Sequence, residues 1–545
     1  MPLSQLGNRK SQRSFAQIPS VTIPRSKFNR SFTVKDTFDF DYLVPIFVDE
    51  VLPGDTFNLN LKAFGRLATQ IVPIMDNMYI DYFFFYVPNR LTYDKWERLN
   101  GANDPDPDST TDFIMPQITA TAGTGFLVDS IYDKMGLPTG VPGLIIRNTL
   151  PLRAYNLIWN EWFRDQNLQD SVINNVDEGP DAVADYALLK RAKKHDYFTS
   201  CLPWPQKGES IMLPLGTSAP VLGIGKYDQT FTSNARTVYE SDGTTTSYAV
   251  NENAAIDPGD TATQWRIQEH PDHPGYPYIR ADLSEATAST INEFRNAIMM
   301  QSLLELDARG GTRYVEILKA HFGVISPDFR LQRPEYLGGG SSPINVHPVP
   351  QTSESDTTVQ GTLTAFATTT ANNQNIGFTK SFVEHGYIIG LACARADITY
   401  QQGLNRMWNR STRFDYFWPK LQQLGEQEVL NQEIYAQNPT TLIDGVEANL
   451  VAFGYQERYA EYRYKPSEIH GRFRSTYSTP LDQWHLAEEF STLPSLNAAF
   501  IVQNTPIERA IAVDTEPDII FDAWFELTCA RPMLTYSVPA TLGRF

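Results

Sequence analysis

Residues 78–88 read MYIDYFFFYVP, and this stretch decides the fold class. A strand with one wet face alternates apolar and polar side chains, whereas this one is apolar on both faces, so it needs a hydrophobic layer on each side. Its neighbours carry the one-sided version of the pattern. In VLPGDTFNLNLKAFG (51–65) a Pro53-Gly54 turn precedes Phe57, Leu59, Leu61 and Ala63 on one face, with Asn58, Asn60 and Lys62 on the other. TFDFDYLVP (37–45) alternates in the same way and reads as a half-buried strand. The signal returns late, in HGYIIGLACARADITY (385–400) and in DIIFDAWFELTCA (518–530). In the latter, Phe521, Ala523, Phe525 and Leu527 oppose Asp522, Trp524 and Glu526, and Arg531-Pro532 ends the run. Strong strands near both ends, with a long irregular middle, point to one β-sandwich interrupted by large excursions.

The excursions differ in character. AYNLIWNEWFRDQ (154–166) has helical spacing, with Leu157, Ile158, Trp162 and Phe163 on one side. Residues 216–280 are loop-like, rich in Thr, Ser, Gly and Asn, with eight acids and four bases. Residues 351–375 form a second polar stretch; loops of such length usually have a task. Between them, 284–309 reads as a helix capped by Ser284, with Ile291, Phe294 and Ile298 on its apolar face. Gly310-Gly311 suits a helix C-terminus, and Thr312 then caps a short second helix ending at Gly323.

Charge is distributed unevenly. The 545 residues carry a formal −18, which excludes a simple basic nucleic-acid binder. Residues 1–35 hold seven bases and no acid, +7 in all, leaving −25 on the rest. Mixed with Ser and Pro, residues 1–36 read as an extended basic arm. The three cysteines, Cys201, Cys393 and Cys529, are widely spaced and give no disulfide framework. No apolar signal segment opens the chain, and no apolar run is long enough to span a bilayer.

Motifs that carry chemistry are weak. The Gly310-Gly311 pair follows a helix where a phosphate loop requires a strand. GIG (223–225) and GGGSSP (338–343) lack a following helix and read as flexible turns. Glu269, His270, Asp272 and His273 lie in a proline-rich loop without a third histidine, so a metal site is the weaker reading. The basic run KRAKKH (190–195) reads as a solvated helix face or an inter-subunit salt bridge. No catalytic constellation stands above background, and no cofactor or metal is expected.

Several long stretches nevertheless resemble one family: RGGTRYVEILKAHFGVISPDFRLQRPEYLGG (309–339), FTKSFVEHGYIIGLACARADITYQQGLNRMW (378–408) and FGYQERYAEYRYKPSEIHGRFRS (453–475). Together with YNLIWNEWFRDQN (155–167), CLPWPQKG (201–208) and FDAWFELTCARPMLTYSVP (521–539), they resemble the major capsid protein of gokushoviruses. These are small tailless single-stranded-DNA phages of the Microviridae. The resemblance implies a mainly β, eight-stranded antiparallel jelly-roll sandwich over 37–545, with long loop and helical insertions, the helical one at 281–323. It also implies a T=1 icosahedral shell of about sixty copies, assembled through pentamers in the host cytoplasm. The expected partners are the packaged circular single-stranded DNA, a small basic DNA-packaging protein, an internal scaffolding protein, a minor pilot protein and a receptor on the bacterial host. Arg9, Lys10, Arg13, Arg25, Lys27 and Arg30 become candidate DNA-facing residues. Residues 216–280 become a surface protrusion for host attachment, with Lys226, Tyr239, Tyr248 and Trp265 as candidate receptor contacts. The rival class is a carbohydrate-binding or carbohydrate-active β-sandwich, which the abundant aromatics and acids would also serve.

Overall fold

The computed structural model describes residues 24–101, 113–209, 211, 221–222, 224–225, 266–267, 272, 279–281, 291–311, 314–323, 332–354, 359–372 and 375–536. The chain divides into two compact units, one formed by 1–205 with 325–545 and the other by 206–324.

The larger unit is built on one curled antiparallel sheet of ten strands: β1 (Ser26–Asn29), β2 (Phe32–Phe38), β3 (Val44–Val51), β4 (Thr56–Gln70), β5 (Met78–Pro88), β6 (Glu335–Pro350), β7 (Leu363–Thr370), β8 (Ile376–Ser381), β9 (Gly386–Ala396) and β10 (Ile519–Arg531). The order is β1-β10-β4-β7-β6-β5-β9-β3, with β2 following β1 along the edge of β10 and β8 beside β7 along β4. The sheet folds on itself through the long β6. Its first half pairs with β5 up to Ile344↔Met78, and its second half pairs with β7 from Ile344↔Thr369 onward. The result is the expected jelly-roll sandwich.

The alternation read from the sequence sets the inner core. Phe57, Leu59, Leu61, Phe521 and Phe525 face Phe47, Ile80, Tyr82, Phe84 and Ile388. The two halves meet ring to ring, Phe47 against Phe525 at 5.2 Å and Tyr82 against Phe521 at 6.2 Å. The two-sided strand behaves as its sequence requires. Phe85 and Val87 of β5, with Ile389, Leu391 and Cys393 of β9, point away from the inner core into a second one. Tyr155, Ile158, Trp159 and Phe163 close that second core, from α1 (Leu150–Ile158) and the π-helical turn after it (Trp159–Phe163). A third cluster joins Tyr197 and Phe198, from the excursion between β5 and β6, to Tyr400, Phe453 and Phe500 of the long excursion between β9 and β10.

Several readings are corrected. Residues 37–45 are not one strand: β2 ends at Phe38, Asp41 turns at φ 71°, and β3 begins at Val44. The helix predicted over 154–166 starts earlier, at Leu150, with Pro151 in its first turn. GGGSSP is not a flexible turn but the middle of the 16-residue β6. About a third of the polar stretch 351–375, Leu363–Thr370, is β7, whose Ala365, Ala367 and Thr369 point inward; small residues and Thr make a strand there with little hydrophobic signal. Ile224–Gly225, also read as a turn, is a strand pair with Arg266–Ile267.

In the smaller unit, α2 (Ile291–Arg309) and α3 (Tyr314–Phe322) flank the double glycine. Gly310 N–H donates to Leu306 O, and Gly311 holds φ 97°, the left-handed geometry a helix end favours. Ser284 and Thr312, expected as caps, lie outside the described residues. Phe294 and Ile298, read as members of one apolar helix face, are both exposed.

Candidate functional surfaces

The basic arm is described from residue 24 onward, and that part is tied to the sandwich. β1 and β2 add to β10, with Lys27↔Ala530 and Lys35↔Asp522 in register. Arg25 donates to Thr56 Oγ1 at 2.7 Å and to Ala530 O at 3.3 Å. Arg30 forms an ion pair with Asp49 of β3, and Lys27 is exposed. Arg9, Lys10 and Arg13 lie outside the described residues.

The run 190–195 is not a solvated helix face. It passes in extended form against the sheet edge, and its charges are used internally. Lys190 donates to Asn504 Oδ1 at 2.9 Å and Lys193, itself buried, pairs with Glu488 at 2.9 Å. Arg191 and Arg395 both reach Asp81, at 2.6 and 2.7 Å. Burial would raise the Asp81 carboxyl, but these guanidinium bonds outweigh it and hold it below its ordinary value.

A fully buried polar cluster centres on Arg153 of α1. Its guanidinium binds both carboxylate oxygens of Asp181, at 2.6 and 2.9 Å, and donates to the backbone oxygens of Thr92 and Asp177. Thr149 and Tyr186 hydroxyls donate to the same carboxylate. Arg153, Asp181, Thr149 and Tyr186 satisfy one another, so the cluster locks the 177–186 segment to α1. The three cysteines are buried. Burial pushes the Cys393 thiol up to about 12, which removes it as a nucleophile. Among the described residues no group of His, Cys, Asp or Glu is arranged to hold a metal ion. His270 and His273 lie outside them. No described helix is long and apolar enough to cross a membrane.

The insertion read as a protrusion leaves and returns through a paired neck. Val221–Leu222 runs antiparallel to Arg280–Ala281, and Ile224–Gly225 antiparallel to Arg266–Ile267. Lys226, Tyr239, Tyr248 and Trp265 follow that neck and lie outside the described residues.

Among the described residues neither a catalytic nor a metal-binding arrangement emerges, and comparison with known proteins gives the reason. Residues 16–541 match the family described as capsid protein (F protein) of phages. The chain belongs to this phage capsid family. The capsid chain is 56% identical over 553 residues to Capsid protein VP1 of Bdellovibrio phage phiMH2K, covering 99% of this chain and 100% of that one. It is 44% identical to Capsid protein VP1 of Chlamydia phage 1 and 36% identical to that of Spiroplasma virus 4, each over 96% of this chain and 97% of the relative. All three are gokushovirus proteins, as the motifs at 309–339, 378–408 and 453–475 led one to expect. The capsid chain is thus a structural, non-enzymatic component of the virion that assembles into its shell, and the carbohydrate reading falls away.

One surface escaped the sequence reading. Residues 406–418, RMWNRSTRFDYFW, expose Trp408, Phe414, Tyr416, Phe417 and Trp418 beside Tyr462 and Tyr464. The signal was present as aromatics interleaved with arginines, without strand or helix periodicity to draw attention to it.

Proposed function

We propose that about sixty copies of this capsid chain close a T=1 shell around circular single-stranded DNA, and that 216–280 projects outward to contact the host cell. Pentameric intermediates, an internal scaffolding protein, a small basic packaging protein and a minor pilot protein belong to the same reading. The basic arm faces the genome: seven bases without an acid offset phosphate charge that a −18 subunit would otherwise repel.

The observation that carries the attachment role is the neck. Antiparallel partners at Gly225↔Arg266 sit about 5 Å apart between Cα atoms, so the 40 residues 226–265 start and finish at one place. Chain inserted at such a point adds little to the cost of folding, roughly 0.6 kcal/mol per doubling of loop length. Its sequence is therefore free to follow a receptor while the sandwich stays constant. Replacing 226–265 with a short Gly-Ser linker tests the role. Intact shells that no longer adsorb to the host are expected. Shells that adsorb as before refute attachment, and failure to form shells assigns the insertion to assembly.

A further inference from the structure

Two exposed surfaces of the larger unit complement each other in charge. The first is the aromatic surface at 406–418, which packs on 458–464. Tyr459 Oη donates to Tyr416 O at 3.0 Å, and Trp418 Nε1 donates to Arg413 O at 3.0 Å. Arg410 lies over the Tyr462 ring at 4.2 Å while pairing with Glu461, and Arg413 lies over Trp418 at 4.6 Å. Tyr459 holds φ 64° at the base of the cluster, where Phe417 packs against it at 5.1 Å. The side chains are thus set before any partner arrives, so little entropy remains to be lost on docking. The surface is also basic. Residues 406–420 and 458–474 hold nine bases against three acids, net +6, in a chain of −18.

The second surface is a groove along the junction of β2 and β3 and the segment leading into β10. Asp39, Glu508, Asp514 and Glu516 expose carboxylates along it, above the buried Asp41 and Asp518, and outnumber the two lysines of the lining, Lys134, which pairs with Asp129, and Lys190. Leu127, Val128 and Val513 stand exposed in the segments that flank these acids.

We propose that the aromatic–arginine surface of one capsid chain docks into this acidic groove on a second copy. Trp, Tyr, Phe, Met and Arg, with few lysines, is the composition of buried interface centres. The sign of the charge selects an acidic partner, and the groove supplies one with apolar neighbours for the rings. Single-stranded DNA is the weaker occupant. Arg406, Arg410 and Arg463 are already paired with Glu433, Glu461 and Glu457, and the Trp418 and Tyr462 faces are covered by guanidinium groups. Because the two surfaces differ, the contact is head-to-tail, the kind that closes a ring when repeated by rotation.

The inference rests on the shell-forming reading, and charge reversal separates the two. Full-length chain is assembled under conditions where the unchanged protein forms shells, with yield read by sedimentation. Arg413→Glu with Lys420→Glu, both exposed on the aromatic surface, is expected to lower shell yield by about tenfold or more, and so is Asp514→Arg with Glu516→Arg. Combining the four restores assembly. Thermal melts of the unassembled subunits show that each variant folds. Assembly by either pair at the unchanged level overturns the proposal, as does failure of the folded quadruple variant to recover. Normal shells with reduced DNA in the Arg413→Glu, Lys420→Glu variant overturn it in favour of the genome as occupant. If the unchanged chain forms no shell under any condition, it is the shell-forming reading that fails.

Discussion

Arg30 forks onto Asp49, its two terminal nitrogens 2.5 and 3.0 Å from the two carboxylate oxygens. The pair ties the β1–β2 junction to β3, so a residue counted among the DNA-facing candidates already has a partner within the subunit. The arginine is partly exposed, which limits the contribution to at most about 1 kcal/mol. Arg30→Gln should lower the subunit melting temperature by no more than a few degrees, with the difference shrinking in high salt, and should leave the DNA content of particles unchanged. Replacing Arg9, Lys10 and Arg13 with Gln should instead reduce packaged DNA or sharpen its loss with salt.

Arg153 and Asp181 form the opposite case, a bidentate pair that is fully enclosed. Burial alone would raise the Asp181 carboxyl, but hydrogen bonds from Arg153, Thr149 and Tyr186 hold it below its ordinary value. A depressed carboxylate contributes stability above its unfolded value and loses it as pH falls through its folded value, so this contribution fades below about pH 4. Arg153→Met should cost about 3–5 kcal/mol at pH 7, because it strands a buried charge. The same variant should recover stability on acidification, as the stranded carboxyl takes up a proton. Thermal melts at pH 7 and pH 5 on both proteins check the reversal.

Asp518 shifts the other way. Burial raises its carboxyl, Asp39, Glu508 and Asp41 add to the rise, and it reaches about 6 although Phe40 N–H donates to it at 3.0 Å. A raised carboxyl binds its proton more tightly in the folded chain, so stability falls as pH climbs from about 4 to 6. Asp518→Asn keeps an acceptor for Phe40. It should flatten that dependence and stabilise the subunit at pH 7 by about 2 kcal/mol. Equal pH slopes for the two proteins would refute the assignment.

Gly339 lies in β6 opposite Phe83 of β5. A methyl group there would run into the Tyr82 carbonyl oxygen and come within 2.7 Å of the Tyr336 hydroxyl. On either side, Gly338 and Gly340 make room for Gly377 and Ile376 of β8. Gly339→Ala should therefore destabilise the sandwich by about 1–3 kcal/mol or block folding. Gly445, in a turn with nothing near it, is no control because its φ is 81°. Ala512→Ser, at an exposed site, is the neutral comparison.

The same glycines show what the sequence conceals. Strands β4, β5, β9 and β10 were legible because bulky side chains alternate or fill both faces, as Phe57 to Ala63 and Phe83 to Val87 do. β6 and β7 were not, because Gly338 to Gly340 owe their place to close backbone approach and β7 turns only Ala365, Ala367 and Thr369 inward, without side-chain bulk. The internal use of Lys190 to Lys193 was equally hidden, since a basic run looks the same whether its partners are solvent or residues such as Asp81 and Glu488, far away in sequence. The function was legible in long motifs. The surface at 406–418 was not, because exposure is a property of the fold and leaves no period in the chain.

The neck at Val221–Leu222 and Arg280–Ala281 has a practical reach beyond the attachment role proposed for its insertion. A segment whose ends are clasped by backbone hydrogen bonds can be exchanged as a cassette. A foreign peptide placed between Gly225 and Arg266 would be offered once per subunit, and a shell of many subunits would multiply weak affinities into avidity. The rungs that hold a phage insertion in place would then hold an antigen or a targeting ligand equally well.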